Sequence, residues 1–197
     1  MAYFIKEHSN GFDRLAPSDI LITDRKVFFT SDVNTHTADE LIEALMALDS
    51  ESDEEITLYI NSHGGEVSSG LAVYDLISTM RSPVRTVVIG MAASMGAILF
   101  LAGKERVVME HSLIMLHDPS YGTGDIGGKK PHEIQKQVDK LMETREELAT
   151  IIASVTGQPI EKIYEICKED TYFNARESME FGLATKVITR EASNNGI

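Results

Sequence analysis

From Val87 to Gly103 the chain runs for 17 residues, VVIGMAASMGAILFLAG, without a charged side chain. Such a stretch demands an apolar environment, and this one carries a serine at its middle. The β-branched run Val84 to Ile89 reads as a buried strand that Gly90 ends. From Met95 onward the residues favour helix, with Gly103 as its C-cap. With three glycines and 17 residues it sits at the short limit for a membrane span. The amphipathic elements around it make a buried strand–helix unit the expectation. Ser94 falls at the junction. A serine there is ordinarily a helix N-cap. The same place is the positive end of the helix dipole, beside backbone N–H groups with no intrahelical partner, which is the setting a nucleophilic hydroxyl requires. The stretch alone leaves both readings open.

Composition narrows the class. The 197 residues, 43% hydrophobic and 25% charged, suit one globular domain with a sizeable core. A net charge of −13 counts against nucleic acid and anionic membrane surfaces as partners. One cysteine, Cys167, allows no intramolecular disulfide and reads as a small core residue. The first residues lack the apolar segment of a signal peptide, so the expected location is the cytoplasm.

Along the chain, residues 1–19 show no periodicity and contain Asn10-Gly11 and Pro17, which reads as a mobile arm or loop. Ile20 to Ile22 forms a short turn of helix or strand, and Lys26 to Thr30 a strand. Thr37-x-x-Glu40 has the form of a capping box opening a helix with Leu41, Leu45 and Leu48 on one face. Asp49 to Glu55 reads as a solvated acidic linker. The strand Ile56 to Ile60 runs into His63-Gly64-Gly65, ahead of a helix with Val73, Leu76, Ile77 and Met80 on one face. Two glycines after a strand make a tight turn or let backbone N–H groups approach a ligand. Strands at Arg106–Met109 and Leu113–Leu116 follow, the second delivering His117-Asp118-Pro119. The alternation argues for an α/β fold of βα units on a largely parallel sheet. Residues 121–130 are glycine-rich and read as flexible. Pro131 opens a long helix whose apolar positions Ile134, Val138, Leu141, Leu148, Ile152 and Val155 are spaced 4, 3, 7, 4, 3, with Arg145 in the skipped slot. It spans roughly 37 Å at ~1.5 Å per residue, long for a domain of this size, and reads either as ordinary packing or as an arm against other subunits. A helix at Ile160–Cys167, a second capping box at Asn174-x-x-Glu177, a strand at Lys186–Ile188 and a frayed tail over 190–197 complete the expectation.

A nucleophilic serine needs a base and a group that orients the base. His117 ends a strand, where α/β sheets place their sites; His63 beside the glycines is a rival. The orienting carboxylate is Asp118 or Asp170, and spacing does not choose. There is no HExxH, CxxC, Walker loop or GxGxxG, so no metal site is expected.

Five segments occur in one order: Tyr59-Ile-Asn-Ser-His-Gly-Gly65, Gly90-Met-Ala-Ala-Ser-Met-Gly96, Ile114-Met-Leu-His-Asp-Pro119, Thr156-Gly-Gln-Pro159 and Glu169-Asp-Thr-Tyr-Phe173. Together they resemble the proteolytic subunit of the Clp protease (ClpP) over essentially the whole chain, 1–197. The resemblance implies a crotonase-like α/β fold and a serine endopeptidase that works as two stacked seven-membered rings. It implies degradation of unfolded polypeptides fed by an AAA+ unfoldase, with no cofactor on this chain, since ATP is used by that partner. Carried over by position, Ser94 matches the nucleophile, His117 the general base and Asp170 the orienting acid, while Gly65 and Met95 match the oxyanion-hole residues. The region 121–157 matches the family's handle, and the N-terminal arm the lining of the axial entrance.

Departures accompany the match. His63 stands where proline is usual, and Glu169 where many members have arginine. The glycine-rich segment before the handle is longer than in common members. At positions of the unfoldase-docking pocket, Thr57, Thr79, Val107 and Met109 replace larger or aromatic residues, while Tyr59 is kept. Two further readings follow: a poorly active or regulatory paralogue needing a companion subunit, and a crotonase-type acyl-CoA enzyme, which has no need of the Ser94, His117, Asp170 set.

Overall fold

The computed structural model describes residues 3–9, 11–121 and 128–189. The expected features at 122–127 and 190–197 lie outside them. The chain begins with a hairpin, β1 (Phe4–His8) antiparallel to β2 (Gly11–Leu15), followed by helix α1 (Pro17–Thr23). This corrects the expectation of an arm without regular structure. Neither strand packs on the core, and Phe4, Ile5 and Phe12 are exposed, so no alternation of apolar and polar residues marks them in the sequence.

Among the described residues the main sheet has seven strands. Five run parallel in the order β3 (Lys26–Phe29), β4 (Ile56–Ser62), β5 (Val84–Ala93), β6 (Glu105–Met109), β9 (Lys186–Ile188). Between them lie α2 (Thr35–Glu51), α3 (Val67–Thr79) and α4 (Met95–Leu101), the helices of the expected βα units. β5 is ten residues long and changes partner along its length: Arg85–Val88 pairs with β6, and Met91–Ala93 with β7 (Leu113–Leu116). β7 in turn pairs antiparallel with β8 (Thr171–Phe173).

Gly90 therefore does not end β5. The register with β4 steps from Ile60↔Val88 to Ser62↔Ala92, so β5 bulges outward here. A side chain at Gly90 would meet the Asn61 amide oxygen at 2.6 Å, and that same oxygen accepts the Met91 N–H at 3.1 Å. The glycine is the place where β5 makes room for Asn61 before bending toward β7.

The charge-free stretch is explained by burial on all sides. All seven residues of α4 are buried, Leu99 and Phe100 fully, between the sheet and the flanking helices. Its C-terminal end is fastened to β5 by Thr86 Oγ1 donating to the Phe100 carbonyl at 2.8 Å. Among the described residues no helix is long and apolar enough to cross a membrane.

Two other boundaries move. α2 starts at Thr35, with Asn34 as N-cap: Asn34 Oδ1 accepts from Thr37 N, and Thr37 Oγ1 from Asn34 N, both at 3.1 Å. Thr37 is the third residue of the helix rather than its cap. The acidic linker is also less free than expected, because α2 continues to Glu51 and buried Arg25 donates to the carbonyls of Leu48, Ser52 and Glu54.

The long helix α5 (Pro131–Thr156) ends at Gly157 in the left-handed conformation its φ of 72° requires. Only Leu148, Ala149 and Ile152 of its 26 residues are buried. Its first four turns carry apolar residues that this protomer does not cover, Val138 and Met142 among them. α6 (Ile160–Ile166) and α7 (Ala175–Phe181) follow, the latter capped by Asn174 and Gly182 as its sequence signals require.

Candidate active site

β5 delivers Ser94 at its end, in a conformation few residues adopt: φ 53°, ψ −124°. Backbone strain of this kind costs of order 1–3 kcal/mol and persists only when surroundings over-determine it. Here the Ser94 N–H donates to the Met115 carbonyl of β7 at 2.9 Å, and the Ser94 carbonyl accepts from Ala97 and Ile98 of α4. Ser94 is the N-cap residue by position, yet its hydroxyl makes no capping bond. The hydroxyl is 2.9 Å from His117 Nε2 instead. Small neighbours make the sharp turn sterically feasible: a Cβ at Gly96 would sit 2.9 Å from the Ser62 carbonyl oxygen.

His117 follows the last residue of β7, the strand that β5 joins after its bulge, so the partner switch brings the imidazole to the serine. His117 Nδ1 lies 3.3 Å from Asp170 Oδ1. Asp170 immediately precedes β8, which β7 holds antiparallel at Leu116↔Thr171. Three residues far apart in sequence thus meet through two strand pairings. Asp118, the alternative carboxylate, is engaged elsewhere: its Oδ2 accepts from Arg145 Nε at 2.8 Å. His63 is exposed and makes no hydrogen bond or ion pair among the described residues.

The glycine pair lies against the same turn. A Cβ on Gly64 would come 2.6 Å from the Ala93 carbonyl oxygen and 2.7 Å from Ser94 Cβ. Gly65, at φ 146°, is stapled beside Val33 by two bonds, Val33 N to the Gly64 carbonyl and Glu66 N to the Val33 carbonyl. Among the described residues, neither the Gly65 nor the Met95 amide donates to a protein acceptor. Two backbone donors therefore remain available beside the hydroxyl. Glu66 sets the start of α3 behind them; hydroxyls of Ser69, Ser68 and Thr35 bond its carboxylate and hold it below the usual glutamate range.

An apolar cavity of about 30 Å³ opens beside the hydroxyl, lined by Val67, Ile98, Leu116, Pro119, Leu148 and Ile152. Sequence periodicity marked Leu148 and Ile152 only as seam positions, because a pocket wall and a core face carry the same pattern. Cys167 is buried, with its thiol pushed up to about 11 by desolvation and by the Asp118 charge, so it is a protonated core residue at neutral pH. Among the described residues, no group of three or more His, Cys, Asp or Glu side chains could hold a metal ion.

A hydroxyl, an imidazole and a carboxylate in sequence, set at the end of a parallel sheet beside free backbone donors, are the parts of a serine hydrolase on an α/β scaffold. The chain matches the family model described as Clp protease over residues 11–191, and it belongs to the Clp protease family. Among solved structures it is similar to a ClpP1 mutant from Listeria monocytogenes, at 28% identity and a TM-score of 0.80, over 89% of this chain and 98% of that one. The fold is of the ClpP, crotonase-like type, and the protein is a ClpP-type serine endopeptidase subunit of a family that works as oligomeric rings with an unfoldase partner.

Proposed function

We propose that Ser94 is the nucleophile, His117 the general base, and Asp170 the acid that orients it. The observation carrying this is the uncapped Ser94 hydroxyl, held at positive φ and 2.9 Å from His117 Nε2. With Nδ1–H directed to Asp170, Nε2 is free to accept the hydroxyl proton as Oγ attacks the scissile carbonyl. The amides of Gly65 and Met95 take the developing oxyanion, and His117 returns the proton to the leaving amine. The apolar residues lining the small cavity face the side chain preceding the scissile bond, and its volume of about 30 Å³ must widen to admit one. Every proton in this scheme is moved by a side chain of this chain, so the reading includes no metal and no cofactor, and ATP hydrolysis belongs to the unfoldase.

The assembly proposed is two stacked heptamers in the cytoplasm, with the uncovered first turns of α5 as the contact between rings. The partner is an unfoldase of the ClpX, ClpA or ClpC type, and the substrates are unfolded polypeptides; neither nucleic acid nor membrane has a part. A second reading, a subunit that needs a companion ring of a paralogue, is favoured by one observation. Asp170 is 60% exposed in the protomer and has Glu169, another carboxylate, beside it.

A fluorophosphonate probe tests the mechanism. Labelling at Ser94 in an assembled sample is expected, with labelling and peptide cleavage both lost in Ser94→Ala while sedimentation is unchanged. An assembled wild type that is not labelled, or a Ser94→Ala protein that cleaves normally, overturns it. Sedimentation separates one ring, two rings and a mixed assembly.

A further inference from the structure

The seam of α5 skips one apolar slot and fills it with Arg145, only 19% exposed. Its Nε donates to Asp118 Oδ2 at 2.8 Å, its guanidinium lies 4.3 Å from the centre of the Tyr164 ring, and a terminal nitrogen donates to the Tyr164 carbonyl at 3.4 Å. Asp118 is the residue after His117. Its own N–H donates to the Cys167 carbonyl at 2.6 Å. Cys167 lies at the end of α6, three residues before Asp170, and Thr171 Oγ1 closes the intervening turn onto the Ile166 carbonyl at 2.6 Å. One guanidinium therefore grips both segments that present the imidazole and the carboxylate.

Stability does not account for this arrangement. A mostly buried ion pair is on average no more stabilising than apolar residues of the same volume, and a leucine would continue the seam. What the pair supplies is directional: an Arg fork fixed between a carboxylate, a carbonyl and a ring holds two chain segments at set separation. We propose that Arg145 is a positioning residue, acting through Asp118 to hold His117 opposite Asp170. The proposal rests on the triad assignment above. His117 and Asp170 lie just beyond the last pair of the β7–β8 ladder, Leu116↔Thr171, and reach each other at 3.3 Å at an exposed edge, so the ladder brings the two segments together without itself bonding either side chain. Misplacement of a reacting group by about 1 Å typically costs ~10² in rate.

The experiment uses assembled protein and three variants: Arg145→Met, which keeps the stem; Asp118→Asn, which keeps the shape; and the double variant. Each single change is expected to lower kcat for a short peptide about 10- to 100-fold with KM within about threefold. The rate of fluorophosphonate labelling at Ser94 should fall in parallel. Because Arg145 acts through Asp118, the double variant should be no worse than the poorer single one, where independent structural roles would multiply. Wild-type kcat and labelling in Asp118→Asn, or multiplicative losses in the double variant, overturn the proposal. A wild type that does not label overturns the triad assignment itself, whatever the variants do. Arg145→Lys, which keeps charge without the fork, should stay closer to Arg145→Met than to wild type; full activity in it also counts against the proposal.

Discussion

Gly64→Ala tests how tightly the glycine loop is fitted to Ser94, the proposed nucleophile. The added methyl would lie 2.6 Å from the Ala93 carbonyl oxygen, 2.7 Å from Ser94 Cβ and 2.9 Å from Met95 N. None of these is the free end of a flexible side chain. Restoring ordinary contact requires loop and turn to part by roughly 0.5–0.8 Å, which moves the Gly65 donor away from the Met95 donor. Losing one oxyanion donor costs about 10²–10³ in kcat, or ~2.7–4 kcal/mol of barrier. Placing alanine at φ +94° adds about 1–2 kcal/mol of instability, tolerable for a fold of this size. The assay is steady-state cleavage of a fluorogenic peptide, with sedimentation and thermal unfolding alongside. Gly157→Ala is the control: its φ of +72° imposes the same kind of strain, but nothing lies within 4 Å of the new methyl. It should lose stability and keep kcat. If Gly64→Ala retains kcat within about threefold of wild type while assembled, the inferred oxyanion geometry is wrong.

Cys167, with its thiol pushed up to about 11, should resist iodoacetamide at pH 8 in the native state, at least ~100-fold more slowly than a free thiol, and react once unfolded. Mass spectrometry that found native alkylation at the free-thiol rate would contradict the burial described. Glu66, held below its ordinary value of 4.5 by three hydroxyls, contributes stability above that value and loses it as pH falls through the lowered one. Denaturant midpoints of Glu66→Gln should therefore trail wild type at pH 7 and converge with it in acid; a gap that widened in acid would reverse the sign. Glu169→Arg should raise peptidase activity or the double-ring fraction, more clearly at low salt where exposed charges are less screened. A wild type already fully active as a tetradecamer, with neither quantity changed by the substitution, would refute this.

Much of the fold was legible because buried segments carry periodicity. Leu41, Leu45 and Leu48 face the core as spaced, and Asn174 with Glu177 forms the capping box that the sequence shows. The hairpin at Phe4–Leu15 escaped notice because strands with both faces in solvent have no alternation to read. Gly90 misled for a different reason. A glycine in a strand weakens it and can mark either its end or a bulge, and this one serves a bulge whose cause, the Asn61 side chain, lies on the neighbouring strand. At the site, residue types and motif order pointed to Ser94, His117 and Asp170, whereas spacing could not choose between Asp118 and Asp170. That choice depends on Arg145, 27 residues from Asp118, occupying one carboxylate and leaving the other to the imidazole. No local signal announces a pairing of that kind.

The two halves of the site are held with very different firmness, and this bears on where control can act. Ser94 and the glycine loop are fixed by core strands and a wholly buried helix; Ser94 N bonds Met115, Gly64 and Glu66 bond Val33, and α4 has no exposed residue. Changing that half means changing the core. Asp170 instead sits 60% exposed on a short turn between α6 and β8, tied to the rest through Cys167, Asp118 and Arg145 on one side and through the β7–β8 pairing that begins at Thr171 on the other. Local opening costs least where backbone is exposed and apolar contacts are few. The exposed carboxylate is therefore the part of the proposed triad that the core constrains least, and Ser94 the part it constrains most. Arg145 stands on α5, the helix whose first four turns are uncovered and whose Leu148 and Ile152 line the apolar cavity. A surface that covered those turns would act on the carboxylate and the pocket wall together, without touching the proposed nucleophile.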